Sequence, residues 1–218
     1  MYEIIPAILV HHREDYINQL KKVEGLVDRI HIDIMDGKFV PNTSVTLNQI
    51  GDIATPLKRA AHLMVQKPDQ YFKELNEYSF DQVIIHRESF SEGNKIFNSI
   101  NMAKSLDIKF ILALNPKTSE DVIKDFDTSI ESLLIMTVEP GFAGQEILPS
   151  ILGKIARISR LYPNLELIVD GGINEENIKE YFNLGVRKFS MASSIFKGEP
   201  KYTIANIKKI LNTLENKI

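Results

Sequence analysis

Eight short apolar runs alternate with charged, helix-favouring stretches along the 218 residues, and this alternation constrains the fold most strongly. The runs are Glu3–Leu9, Arg29–Met35, Arg59–Val65, Gln82–His86, Lys109–Leu114, Ser132–Val138, Glu166–Asp170 and Lys188–Met191. Between them, amphipathic patterns predict helices at Tyr16–Val23, Pro68–Glu77, Gly93–Leu106, Ser119–Phe126, Pro149–Tyr162, Glu175–Leu184 and Tyr202–Asn216. Repeated strand-then-helix order marks an α/β protein with a parallel sheet. Eight repeats in this length favour a compact (β/α)8 TIM barrel over an open doubly wound sheet. No Gly-, Ser- or Pro-rich linker divides the chain, so residues 1–218 are expected to form a single domain.

The polar residues of these runs support the barrel. His31, Asp33, His62, His86, Asn115, Glu139 and Asp170 all fall near C-terminal strand ends, which in a barrel converge on one mouth. In H-I-D-I-M-D-G-K-F-V-P-N, His31, Asp33 and Met35 occupy alternate positions and share one strand face, with Ile32 and Ile34 on the other. A-H-L-M-V repeats the pattern with His62 and Met64, and L-I-V-D-G-G-I delivers Asp170 into a Gly-Gly turn.

Two carboxylates buried at a barrel mouth cost several kcal/mol unless a cation compensates them. His31, Asp33, His62 and Asp170 are therefore expected to share one divalent metal ion. Imidazole and oxygen donors without sulfur suit Zn2+, Mn2+, Fe2+ or Co2+.

Glycine-rich turns follow the last strands: Pro140-Gly141-Phe142-Ala143-Gly144-Gln145, then Gly171-Gly172, then Ala192-Ser193-Ser194. Glycine lets backbone N–H groups approach an anion, and barrels bind phosphate at the loops after strands seven and eight. A phosphorylated small molecule is the expected partner. Met35, Met64 and Met136 end or share inward-facing patterns and are expected to wall the site with dry, polarizable surface.

Composition narrows the alternatives. A formal charge of −3 with dispersed Lys and Arg argues against a nucleic-acid surface and a polybasic membrane anchor. The absence of cysteine excludes disulfides, thiolate catalysis and Cys-ligated zinc. No apolar run is long enough to span a bilayer, and the start M-Y-E-I-I-P lacks a basic leader, so a cytoplasmic location is expected.

Taken together, H-I-D-I-M-D-G-K-F-V-P-N, A-H-L-M-V, L-N-P-K-T, M-T-V-E-P-G-F-A-G-Q, V-D-G-G-I and A-S-S-I-F resemble the ribulose-phosphate 3-epimerase family from Pro6 to Phe196. The resemblance implies a metal-dependent catalytic barrel, a homo-oligomer, that inverts C3 of a ketose phosphate. By position, His31, Asp33, His62 and Asp170 match the family's metal ligands, and Asp33 and Asp170 its acid/base pair. Gly141, Phe142, Ala143, Gly144, Gly171, Gly172, Ala192 and Ser193, with His62, match its substrate- and phosphate-binding positions. Met35, Met64 and Met136 would flank the intermediate.

Four departures bear on substrate choice. Ala7 stands where the family usually has Ser, and Ala60 where it often has Asp. Ala143 and Ala192 replace common glycines, the latter within Ser190-Met191-Ala192-Ser193. The leading expectation is D-ribulose 5-phosphate to D-xylulose 5-phosphate, with D-allulose 6-phosphate to D-fructose 6-phosphate as the nearest alternative. Sugar-phosphate aldolases and decarboxylases of similar barrels use an Asp-x-Lys-x-x-Asp strand. Asp107-Ile108-Lys109-Phe110-Ile111-Leu112 lacks the second Asp. A non-catalytic sugar-phosphate sensor would require loss of site residues, and all four are present.

Overall fold

A computed structural model describes residues 1–126 and 128–216; the expected domain span also includes residues 127, 217 and 218, which lie outside the described residues. Eight parallel strands, β1 (Glu3–Ile8), β2 (Arg29–Met35), β3 (Lys58–Met64), β4 (Gln82–His86), β5 (Lys109–Leu114), β6 (Ser132–Met136), β7 (Glu166–Asp170) and β8 (Lys188–Met191), pair in sequence order. The sheet closes where β1 meets β8, from Glu3 opposite Lys188 to Pro6 opposite Met191. The result is the expected (β/α)8 barrel. Every strand lies at an expected run, with ends that differ by at most two residues at β1, β3 and β6.

Alternation builds the two sides of each strand. On β2, Ile30, Ile32 and Ile34 join the large core between sheet and helices, while His31, Asp33 and Met35 take the other face. Inside the barrel a smaller cluster of Ala60, Ile84, Ile111, Ala113, Leu134, Met136, Val138 and Ile168 fills the middle. Helices α1 (Arg13–Val23), α2 (Leu47–Ile50), α3 (Phe72–Glu77), α4 (Ile96–Ser105), α5 (Ile151–Leu161), α6 (Ile178–Asn183), α7 (Ser193–Phe196) and α8 (Pro200–Glu215) accompany the strands. In α5, Ile151, Ile155 and Ile158 recur at helical spacing and are buried, each contributing about 1.5–3 kcal/mol through apolar burial. Pro200 opens α8 at the one place where a missing N–H costs nothing.

Ion pairs close the N-terminal end of the barrel. Arg29 joins Glu3 at 3.2 Å and Asp81 at 2.5 Å, while Lys188 joins Glu3 and Glu166 at 3.1 Å each. Charge is thus paired at one end, leaving the opposite mouth to the residues of the site.

Some local expectations are corrected. Ser119–Phe126 forms a 3-10 helix at Glu120–Asp125, because this short connection buries only Ile123 and Phe126, three residues apart, and its Ser119 side chain accepts the Asp121 N–H. Pro68–Glu77 and Gly93–Leu106 each open with a 3-10 turn before the α-helix begins. The short α2 went unforeseen; Gln49 accepts the Thr46 N–H at 2.8 Å in a capping box.

Candidate active site

Strand ends bring the four expected residues together. Asp33 on β2 pairs in register with His62 on β3, and Asp170 ends β7. One donor atom from each of His31, Asp33, His62 and Asp170 falls within a cluster 4.8 Å across, and all four residues are buried. His31 Nε2 lies 2.9 Å from Asp33 Oδ1 and 3.6 Å from Asp170 Oδ2. His62 Nδ1 lies 3.0 Å and 3.5 Å from the same two oxygens. The two imidazoles meet edge to face, with centroids 4.8 Å apart.

Electrostatics splits the pair of carboxyls. Burial, with the Asp33 charge beside it, pushes Asp170 up to about 6. Burial acts on Asp33 in the same direction, but the charges and hydrogen bonds of His31 and His62 outweigh it and hold Asp33 well below the usual carboxylate range. Burial pushes the His62 imidazole down to about 3, so its ring is neutral. Burial also opposes charging of His31, yet Asp170 and Asp33 outweigh it and raise its pKa.

The donor set fits a divalent cation. Two imidazole nitrogens and two carboxyl oxygens converge without sulfur, and a +2 charge offsets the negative charge carried by this buried pair of acids.

Above the cluster a cleft opens at the barrel mouth. Asp33 and Asp170 line it together with Met35, Met64 and Met136. Gly141, Phe142, Ala143 and Gly144 from the loop after β6 also line it. Gly171, Gly172, Ala192 and Ser193 continue the lining, with Ser193 opening α7. His31 and His62 sit in the buried cluster itself and are not part of the lining. Gly171 and Gly172 adopt φ of +105° and +63°. A Cβ on Gly171 would come within 2.5 Å of Val138 Cγ2, and one on Gly172 within 2.7 Å of Ile147 Cγ1. The turn therefore requires glycine on both conformational and steric grounds.

The structure adds contacts for Ser190, which the sequence reading passed over, and for His86, which it placed only at a strand end of the mouth. Ser190 on β8, opposite Asp170 in the sheet, places its Oγ 3.0 Å from His31 Nδ1. His86 lies against His62, with their Nε2 atoms 2.8 Å apart. Strand alternation could have placed Ser190 inward, two residues before Ala192; its partner depended on the closure of the barrel.

Among the departures, Ala7 and Ala60 both pair with His31, one from each neighbouring strand, and both are buried. Neither lines the cleft, whereas Leu9, two residues beyond Ala7, does. Lys109 bonds Glu166 at 3.0 Å at the start of β5, the end of the strand remote from the mouth. The partial Asp107/Lys109 match to a lyase strand is thus spent on the barrel's closed end.

Among the described residues, no helix is long and apolar enough to cross a membrane. Solved structures share the fold. A 3-hexulose-6-phosphate synthase from Salmonella typhimurium matches with a TM-score of 0.76 at 14% identity, over 97% of this chain and 99% of that one. A 3-keto-L-gulonate-6-phosphate decarboxylase from Vibrio cholerae has the same score and identity, over 97% and 98%. Sequence relatives are nearer. A ribulose-phosphate 3-epimerase of Bacillus subtilis is 31% identical over 95% of this chain and 99% of its own. One of Methanocaldococcus jannaschii is 35% identical over 94% and 88%. The family model described as ribulose-phosphate 3 epimerase matches residues 3–196. A barrel with this donor cluster at its mouth, matched along nearly its whole length, belongs to the ribulose-phosphate 3-epimerase family.

Proposed function

We propose that this chain, acting as one catalytic domain, inverts C3 of a ketose phosphate, converting D-ribulose 5-phosphate to D-xylulose 5-phosphate. The observation that carries the reading is the pair Asp33 and Asp170, which reach one cleft from β2 and β7 with β8 and β1 between them. Inversion beside a ketone takes the C3 proton from one face and returns a proton to the other. It therefore needs two acid/base groups flanking a planar enediolate.

In one direction the ionised Asp33 carboxylate removes the C3 proton, and the electron pair of that C–H bond passes into the enediolate. The protonated Asp170 carboxyl then delivers its proton to the opposite face of C3. The turnover leaves Asp33 protonated and Asp170 ionised, the starting state for the reverse direction. His31, Asp33, His62 and Asp170 would hold the divalent ion, Zn2+, Mn2+, Fe2+ or Co2+. Bound there, it supplies Lewis-acid stabilisation of negative charge on the reacting oxygens, worth several kcal/mol. Met35, Met64 and Met136 exclude water from the enediolate face. Backbone N–H groups around Gly141–Gly144, Gly171, Gly172, Ala192 and Ser193 bind the phosphate.

The test is a panel of ketose phosphates incubated with metal-loaded protein, with C3 inversion followed by NMR. The reading expects inversion of ribulose 5-phosphate; no inversion of any member would overturn it.

A further inference from the structure

Behind His62 a buried chain of polar groups runs away from the cleft. His62 Nδ1 faces Asp33 and Asp170, so its Nε2 points backwards, 2.8 Å from Nε2 of His86. The two rings are nearly parallel, at 17° with centroids 4.9 Å apart, and both are fully buried. His86 Nδ1 lies nearest Glu88 Oε2, at 3.5 Å, and each of these two atoms is buried without a hydrogen bond. Glu88 Oε1 accepts the Asn115 N–H at 2.9 Å and the Thr118 hydroxyl. The Lys154 ammonium holds that loop, donating to the carbonyls of Asn115, Pro116 and Thr118 at 2.8, 3.2 and 2.7 Å. Phe39 covers the outer side of His86, with centroids 5.0 Å apart.

Two facing imidazole nitrogens impose a choice, because one must donate and the other accept. If His62 donates outward from Nε2, its Nδ1 keeps a lone pair for a cation, His86 accepts at Nε2, and the His86 proton sits on Nδ1 facing a carboxylate. If the chain runs the other way, His62 carries its proton on Nδ1, where it blocks cation binding. Glu88 decides between them, since an ionised carboxylate accepts and cannot donate. We infer that His86 and Glu88 are positioning residues for metal binding, forming a His62–His86–Glu88 relay that fixes the tautomer and orientation of His62. The inference rests on the reading of His62 as a metal ligand given above. A partner that fixes the far nitrogen of a ligating histidine is worth about 10- to 100-fold in metal affinity.

The experiment combines Mn2+ binding, measured by EPR of the free ion, with long-range 1H–15N spectra of Zn2+-loaded protein labelled at histidine. In the wild type, His62 Nε2 and His86 Nδ1 should both carry protons. His86→Leu should weaken Mn2+ binding by about 10- to 100-fold. His86→Gln, whose amide oxygen can still accept from His62, should restore it to within about threefold of wild type. A purely structural role for His86 would instead lower the melting temperature of metal-free protein without this recovery. A folded His86→Leu protein that binds Mn2+ within about twofold of wild type would overturn the relay, as would an unprotonated His62 Nε2 in the Zn2+ form. Should His86→Leu not fold, the wild-type spectrum decides alone. Failure of the wild type to bind either ion would count against the metal-site reading itself, a distinct outcome.

Discussion

Ser190 Oγ lies 3.0 Å from Nδ1 of His31, on the side of the ring facing away from Asp33. With its Nε2 directed at the carboxylates, His31 has its Nδ1–H free to donate to Ser190, which lies opposite Asp170 in the sheet. One buried hydroxyl on β8 therefore orients a candidate ligand on β2. Ser190→Ala leaves the Nδ1–H without an acceptor, and a hydrogen bond of this kind is worth about 0.5–1.5 kcal/mol net. Divalent-metal affinity should fall about 2- to 13-fold, measured by titration, while the metal-free melting temperature changes little.

Separating the two carboxylates in function calls for a substitution that keeps shape. Asp170→Asn removes one acid/base group while retaining a possible oxygen donor, so occupancy must be confirmed first. Metal-loaded Asp170→Asn should lose epimerisation by orders of magnitude yet still exchange the C3 proton of one epimer with D2O through Asp33. Unimpaired epimerisation by that protein would remove Asp170 from the mechanism.

The closed end of the barrel makes a prediction about acid stability. Partial burial pushes the Glu166 carboxyl up, but the Ser132 hydroxyl and the Lys109 and Lys188 ammonium groups outweigh burial and hold it below the ordinary 4.5. A carboxyl lowered on folding stabilises the native state above its unfolded pKa, and that stabilisation disappears as pH falls through the folded value. Glu166→Gln should therefore be less stable than wild type near pH 7. The gap should narrow below about pH 4.5 in chemical denaturation followed across pH.

Much of this architecture was legible in the chain, for reasons that also explain the omissions. Period-two alternation put His31, Asp33 and Met35 on one face of β2, and the barrel's convergence of strand ends brought in His62 and Asp170 from β3 and β7. Periodicity acts along one strand, so it marks a polar residue without naming its partner across the barrel. The sequence marks His86 only as a polar residue at a strand end, and its approach to His62 depends on the β3–β4 register, in which His62 pairs with Ile84. Ser190 was visible only as a change within the β8 signature, since its contact with His31 requires the closure of β8 onto β1 and β2. The stretch Ser119–Phe126 shows the opposite error, because its two buried anchors, Ile123 and Phe126, lie three residues apart, a spacing that a 3-10 turn serves as well as an α-helix.

Substrate length is tested at Ala7. This residue pairs with His31 beneath the cleft and does not line it, so an added hydroxyl there should act weakly on a bound sugar. Ala7→Ser should change kcat/KM for ribulose 5-phosphate by no more than a few-fold, within the net worth of about one hydrogen bond. Wild-type protein should favour this pentulose over allulose 6-phosphate. A preference above about tenfold for the hexulose, about 1.4 kcal/mol of differential transition-state binding, would replace the substrate and keep the reaction class.

Metal-dependent inversion at C3 is tested most directly by NMR of D-ribulose 5-phosphate in D2O, with protein that has been chelated and then titrated with a single divalent ion. Chelated protein should form no xylulose 5-phosphate. Activity should return and saturate at one ion per chain, with the C3 position of the product carrying deuterium. Full turnover by demonstrably metal-free protein, or inversion that retains the original C3 proton in every product molecule, would contradict the two-carboxylate, metal-assisted mechanism.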